Sequence, residues 1–361
     1  MRRSRRVRVL TVGLWLGLLH PAGAQDPGKW ELEVHGGGTF SGSVDGTASS
    51  LPPAATALSL GSCSFCPTTR LVASWYFGDG TRLLNDTLRD YRLPGQAASL
   101  DSVLGTAATA WPNGASVGMR LSRALTRRFS AEFALDYHVE SLDFTEEAAT
   151  SLDQSREGFT TAFTSLFTLP PFTNERVSST LDIASGSARR LDATGVIVVN
   201  LRTEGRFIPY VAGGGGISNV IGEEPAATLK GSYQFTFGGL SPFDERDSVT
   251  VRTAVDRHTP VGVLSGGIKW NVSPRWGIRA DVRGEFSGSR VMTLLDASPA
   301  STPSTTISVV TISGFEPSIQ FSNVPLVPTS LSGQALIGTP TFESDGVHVE
   351  TRVTGGVFFR F

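Results

Sequence analysis

The chain has 361 residues, 40% of them hydrophobic and 18% charged, with a formal net charge of −2. That charge content is below the roughly 25% of ordinary soluble domains, and near-neutrality argues against a nucleic-acid partner. No apolar run reaches the roughly 18 residues of a membrane-spanning helix, so any membrane role falls to strands.

The first element is a secretory signal over residues 1–24. MRRSRRVRV is a basic head, VLTVGLWLGLL a short apolar run, and Ala22-Gly23-Ala24 a small-residue cleavage site. Gln25 follows where a lipid-anchored protein would have Cys. Cleavage removes five arginines and no acid, which leaves 26 basic against 33 acidic residues, a net charge of −7. The mature chain, 25–361, is expected to be exported.

Eight segments then alternate apolar and polar residues, the period of a strand whose side chains point to opposite faces. Residues 30–40 set Trp30, Leu32, Val34 and Phe40 against Glu31, Glu33 and His35. Residues 115–125 set Val117, Met119 and Leu121 against Arg120 and Ser122. Residues 129–140 set Phe129, Phe133, Leu135 and Tyr137 against Glu132, Asp136, His138 and Glu140. Residues 191–201 set Leu191, Ile197 and Val199 against Asp192 and Thr194. Residues 207–217 are aromatic and glycine-rich, with an ambiguous phase. Residues 261–272 set Leu264, Ile268, Trp270 and Val272 against Ser265, Lys269 and Asn271. Residues 276–286 set Trp276, Ile278, Val282 and Phe286 against Arg279, Asp281, Arg283 and Glu285. Residues 347–361 set Val349, Val353, Val357, Phe359 and Phe361 against Glu350, Arg352 and Arg360.

The connections separate two kinds of β-protein. Those at 125–129, 202–206 and 273–275 are short; those at 41–114, 141–190, 218–260 and 287–346 are long. Strict alternation is the pattern of outer-membrane barrels, with short periplasmic turns and long extracellular loops. A soluble sandwich has no reason to sort its loops this way. The predicted fold is all-β: a closed antiparallel transmembrane barrel of eight strands with four long extracellular loops. Ten strands are the variant if a loop lends the barrel an extra hairpin. Trp30, Phe129, Phe207, Trp276 and Phe361 mark one end with a partial aromatic girdle. The charged faces then point into the lumen. Eight strands leave room only for side chains and buried charges must pair, so a closed, ion-paired interior is favoured over a mixed-charge channel.

The terminal strand, with Val353, Val357, Phe359 and Phe361, resembles the assembly signal of bacterial outer-membrane barrels. With eight strands, the chain is similar to the OmpA/OmpX-type small barrels, sometimes grouped as porin-like, although its loops are longer and no peptidoglycan-binding domain follows. The resemblance implies residence in the bacterial outer membrane, with lipid and the barrel-assembly machinery as partners, the latter reading Val357, Phe359 and Phe361.

Other motifs take structural readings. Cys63 and Cys66 are expected to form a small disulfide in an oxidising exterior; a redox motif wants a following helix, and a zinc site wants two further ligands. Asp136, His138 and Ser141 invite a hydrolase reading, but alternation places His138 and Ser141 on opposite faces. Gly213–Gly216, Gly36–Gly38 and Gly355–Gly356 permit bending or close backbone approach. Residues 155–168 carry Phe159, Phe163, Leu166 and Phe167 at helical spacing, predicting a helix that packs on its neighbours, with a plug of the barrel mouth as the alternative. Near Ile307–Ile312, β-branched runs suggest strands continuing beyond the membrane. No residue reads as catalytic, and no cofactor or metal is expected. The functional expectation is a non-enzymatic barrel with a structural or surface-interaction role in its loops, toward an unidentified ligand. The alternative is a porin-like channel for ions or small solutes through the lumen.

Overall fold

The computed structural model describes residues 27–361 except 43–44, 52–54, 57–68, 302–307, 313–316, 325–326 and 345. The signal segment and the Cys63–Cys66 pair lie outside the described residues. Eight strands close a barrel: β1 (Trp30–Ser41), β2 (Gly114–Ala124), β3 (Phe129–His138), β4 (Arg189–Asn200), β5 (Phe207–Ile221), β6 (His258–Asn271), β7 (Trp276–Ser287) and β8 (His348–Arg360). Each pairs antiparallel with its sequence neighbours, and β1 closes on β8 with Glu31 opposite Arg360 and Ser41 opposite Glu350. Closure leaves no open edge in a medium that cannot hydrogen-bond one. The ambiguous fifth segment is in phase: Ile208, Tyr210 and Ala212 are buried while Phe207, Val211 and Ile217 are exposed. It runs on to Ile221 rather than stopping at Ile217, and β6 begins at His258 rather than Val261.

The barrel inverts a soluble protein. Its exposed surface carries Leu32, Val117, Phe133, Ile197, Leu264, Ile278, Val282 and Val353. At the end with the short turns, Phe207 stacks on Trp270 at 5.9 Å, Trp276 meets Phe359 at 5.0 Å, and Phe359 stacks on Phe361 at 6.2 Å. An apolar band bordered by aromatics is what lipid requires of an outward face. Val282→Lys, at mid-strand opposite Val353, is accordingly expected to destabilise the barrel by about 2–4 kcal/mol. Urea titration in lipid vesicles measures this, and a silent substitution would reverse the face assignment.

The long connections form a second unit at the upper end. Each of the four lends strands to one sheet, ordered Gly46–Ala48, Leu336–Ser344, Val291–Ala297, Phe243–Val255, Ala226–Phe237 and Phe172–Ala184, with Ala300–Ser301 added against Phe243–Val255. Extra hairpins therefore exist, but they build this sheet, and the barrel has eight strands, not ten. One sheet face is covered by helices α1 (Gly78–Asp90), α2 (Asp101–Leu104) and α3 (Glu146–Leu166). The helix expected over 155–168 thus starts earlier, where Thr145 accepts a hydrogen bond from the Ala148 amide and Glu146 and Glu147 occupy the positive first turn. It packs on its neighbours: Phe163 stacks on Tyr233 at 4.3 Å and Phe159 on Tyr76 at 5.0 Å. The β-branched run near Ile312 forms a hairpin, Val309–Ile312 with Ile319–Ser322, whose Val310, Ile312, Ile319 and Phe321 join that core. It is not an upward extension of the barrel strands.

Candidate functional site

Strand alternation gathers the charged faces of the barrel strands inside. Glu31, Glu33, His35, Arg120, Glu132, Asp136, His138, Asp192, Lys269, Arg279, Asp281, Arg283, Glu285, Glu350, Arg352 and Arg360 all expose 6% or less of their surface. They form three tiers. At the lower end Glu31 accepts from Lys269 at 2.5 Å and from Arg360 at 2.9 Å, and both cations lie over the ring of Phe358. In the middle Arg279 donates to Glu33 at 3.2 Å, Glu132 at 2.5 Å and the Tyr210 hydroxyl at 2.6 Å. Arg120 joins Glu33 at 3.0 Å to Asp281 at 3.2 Å. Above, Asp136 meets His35 at 2.5 Å, Arg283 at 3.2 Å and Arg352 at 3.4 Å, while Arg352 also reaches Asp192, Glu285 and Glu350.

Two inner-face glycines make this crowding possible. A Cβ at Gly118 would stand 2.5 Å from Asp136 Oδ1 and 2.7 Å from His35 Nε2, and one at Gly356 would stand 2.6 Å from Glu33 Oε1. Eight carboxylates face seven cations counting Arg190 at the rim, so the interior is nearly neutral; most of these charges pair with one another, while Arg283 Nε and Nη2, Arg120 Nε and Asp192 Oδ1 are buried without a hydrogen-bond partner among the described residues. Buried side chains, mostly charged and polar, occupy the bore.

His138 is consumed in the same way. Its Nε2 lies 2.7 Å from Asp192 and its Nδ1 3.1 Å from the Arg190 guanidinium. Arginine only donates, so Nδ1 is the acceptor and Nε2–H faces the carboxylate. That arrangement leaves neither nitrogen to activate a serine. Val357 and Phe361 stand on the exposed face and Phe359 in the aromatic cluster below.

Above the upper tier lies a cavity of about 330 Å³ between the barrel rim and the upper sheet. Glu285, Glu350, Arg190 and His348 border it from the barrel, Thr259 and Ser218 from the rim, and Trp111, Val255 and Val291 from the upper unit. Arg190 lies 5.3 Å from the centre of the Trp111 ring and pairs with Glu350. The sequence pattern marked Glu285 and Glu350 but missed Arg190, Trp111 and Tyr210. Arg190 shares the inward parity of Asp192, a signal that could have found it; Trp111 sits in a connection with no periodicity.

No family model matches the chain, and no curated protein matches it. Among solved structures it is similar to the outer membrane protein AlkL in lipid bilayers, at 9% identity and a TM-score of 0.35, covering 96% of each chain. It is also similar to the toluene transporter TodX of P. putida, at 10% identity and a TM-score of 0.16 over 94% of this chain and 91% of that one. The monoaromatic hydrocarbon channel CymD gives 9% identity and a TM-score of 0.18 over 92% and 88%. With its apolar band outside, its paired charges inside and its ladder closed, this chain folds as a closed, eight-stranded antiparallel transmembrane β-barrel.

Proposed function

We propose that this barrel captures small solutes at its outer mouth, with the upper unit facing the cell exterior and the bore closed beneath. The observation that carries the reading is the cavity of about 330 Å³ seated directly on the ion-paired core. It lies at the lower end of the roughly 300–1,000 Å³ range of ligand sites, and its lining is mixed, with Glu285, Glu350, Arg190 and several serines beside Trp111 and a group of valines. The reading is non-enzymatic, because His138, the best catalytic candidate, is held by Asp192 and Arg190. Export through the signal segment and insertion through the terminal strand belong to the same proposal.

Planar-bilayer recording of the refolded protein tests the closed bore. It is expected to be electrically silent, and a stable conductance abolished by charge changes at Arg283 would overturn it. The refolded protein should bind a small uncharged solute saturably, and Val291→Trp, which fills the cavity, should abolish that binding. Binding unchanged by the substitution would move the function to the upper unit.

That second reading, a surface-interaction role, has its own observation. The face of the upper sheet turned away from the helices holds a groove of about 700 Å³ bordered by Arg176, Lys230 and Arg246, with Asp244 paired to Arg246 at 3.5 Å. The exposed cations outnumber the exposed acid there and suit an acidic surface partner.

A further inference from the structure

We propose that two copies of this chain, standing in facing membranes, pair edge to edge through the strand Phe172–Ala184. This strand ends the upper sheet: it is bonded to Ala226–Phe237 on one side, and among the described residues no strand lies on the other. Its pairing with that neighbour is unbroken from Arg176 to Ala184, and no proline or glycine interrupts it. The opposite edge therefore presents a row of unpaired backbone N–H and C=O groups, a template for a further strand. Arg176, Ser178, Thr180 and Asp182 are exposed on the outward face. Val177, Leu181 and Ile183 are half-buried on the helix-covered face, where they pack against the core.

The side chains choose the occupant. A two-fold axis normal to the sheet makes the paired strands antiparallel, and residues opposite each other then share a face, so their numbers differ by an even count. Centred on Ser179, the pairing sets Arg176 of each copy opposite Asp182 of the other, Val177 opposite Leu181 and Ser178 opposite Thr180. Arg176 and Asp182 have no ion-pair partner among the described residues, and no other centre in the strand brings opposite charges together. A two-fold axis along the strand would keep both copies in one membrane. It turns side chains at one level to opposite faces and breaks the pleat that a ladder needs. Phe172–Ala184 runs down into β4, so an antiparallel copy has its barrel on the far side. Ten residues separate Ser179 from the rim at Arg189, and seven separate it from the upper end at Phe172. The second strand therefore ends before it reaches the rim. This contact is independent of solute capture in the cavity.

The test uses the full chain refolded into lipid nanodiscs at one copy per disc, with particle mass read by light scattering after size exclusion. Wild-type discs are expected to join in pairs. Arg176→Glu and Asp182→Arg should each weaken that joining by about tenfold or more, since each turns two attractive cross-strand pairs repulsive. Chains carrying both substitutions face opposite charges again and should join to within about threefold of wild type. Both positions are exposed, and retained heat-modifiable gel mobility shows that each variant folds. Wild-type discs that stay single, or joining indifferent to both charge variants, would overturn the pairing. So would a double variant as weak as the single ones, because the register predicts rescue. Association seen only when two copies share one disc would overturn the facing-membrane arrangement.

Discussion

Arg279→Ala should destabilise the barrel by about 3–5 kcal/mol, because it strips the cation from two buried carboxylates. Arg279 is 1% exposed and holds Glu33, Glu132 and Tyr210 at once. Most of the cost comes from what remains: two anions in a closed interior with a smaller share of positive charge, and a phenol without its donor. Adding Glu132→Gln to Arg279→Ala should therefore restore part of the loss, although it deletes a second native contact. Arg246→Ala, in an exposed pair with Asp244, should change stability by less than about 1 kcal/mol. Urea midpoints in lipid vesicles, together with heat-modifiable mobility, measure all three. A silent Arg279→Ala, or a double variant weaker than the single, would show that the interior is not the tightly coupled core described above.

The second large effect lies in the upper unit and depends on pH. Glu245 and Asp247 point from one strand into its apolar core, and no cation pairs with either among the described residues. Glu245 accepts from the Tyr233 and Thr329 hydroxyls; Asp247 Oδ2 accepts from the Ser74 hydroxyl at 2.9 Å and the Trp75 amide at 2.6 Å, while its Oδ1 has no partner. Burial pushes both carboxyls up, each to about 7. These shifts run opposite to the usual carboxylate case. Below the ordinary values near 4 both states hold the protons and the shifts cost nothing. As pH rises from about 4 to about 7 the unfolded chain releases protons that the folded unit retains, so stability falls, by on the order of 3 kcal/mol per group, and then levels off. Asp247→Asn and Glu245→Gln should each flatten this slope, and at pH 8 should raise the thermal midpoint of the near-ultraviolet signal of Trp75, Tyr76 and Tyr233. A wild-type midpoint independent of pH between 4 and 8 would refute the assignment.

Those same two acids explain what the sequence concealed. The barrel strands were legible because each keeps one pure apolar face: Phe129, Phe133 and Tyr137 never exchange sides with Glu132 and Asp136. In Phe243–Val255 the buried face reads Phe243, Glu245, Asp247, Val249, Val251. Its alternation is broken by carboxyls that sit inside, so the strand stayed hidden within the long connection 218–260. Ala226–Phe237 carries Leu229, Tyr233 and Phe235 on one face, a visible pattern whose partners lie in three other connections. Helix α1 is short and glycine-led, and it owes its place to Leu83, Leu84 and Leu88 meeting the shared core. The interior charges followed from parity alone, but their pairing did not. Arg279 reaches Glu132 across the bore, three strands away around the wall in either strand count that excludes β7 and β3, and only closure sets that distance.

Closure has one more consequence, for the order of events in assembly. Glu31 finds Arg360 and, above it, Gly46 finds Ser344. The earliest strand of each unit is completed by one of the latest, so neither unit offers a stable half to build on. Such long-range pairing carries its entropy cost before any contact repays it and slows folding accordingly. The meeting of β1 with β8 is thus the expected slow step, because it is the pairing of longest sequence separation in the wall.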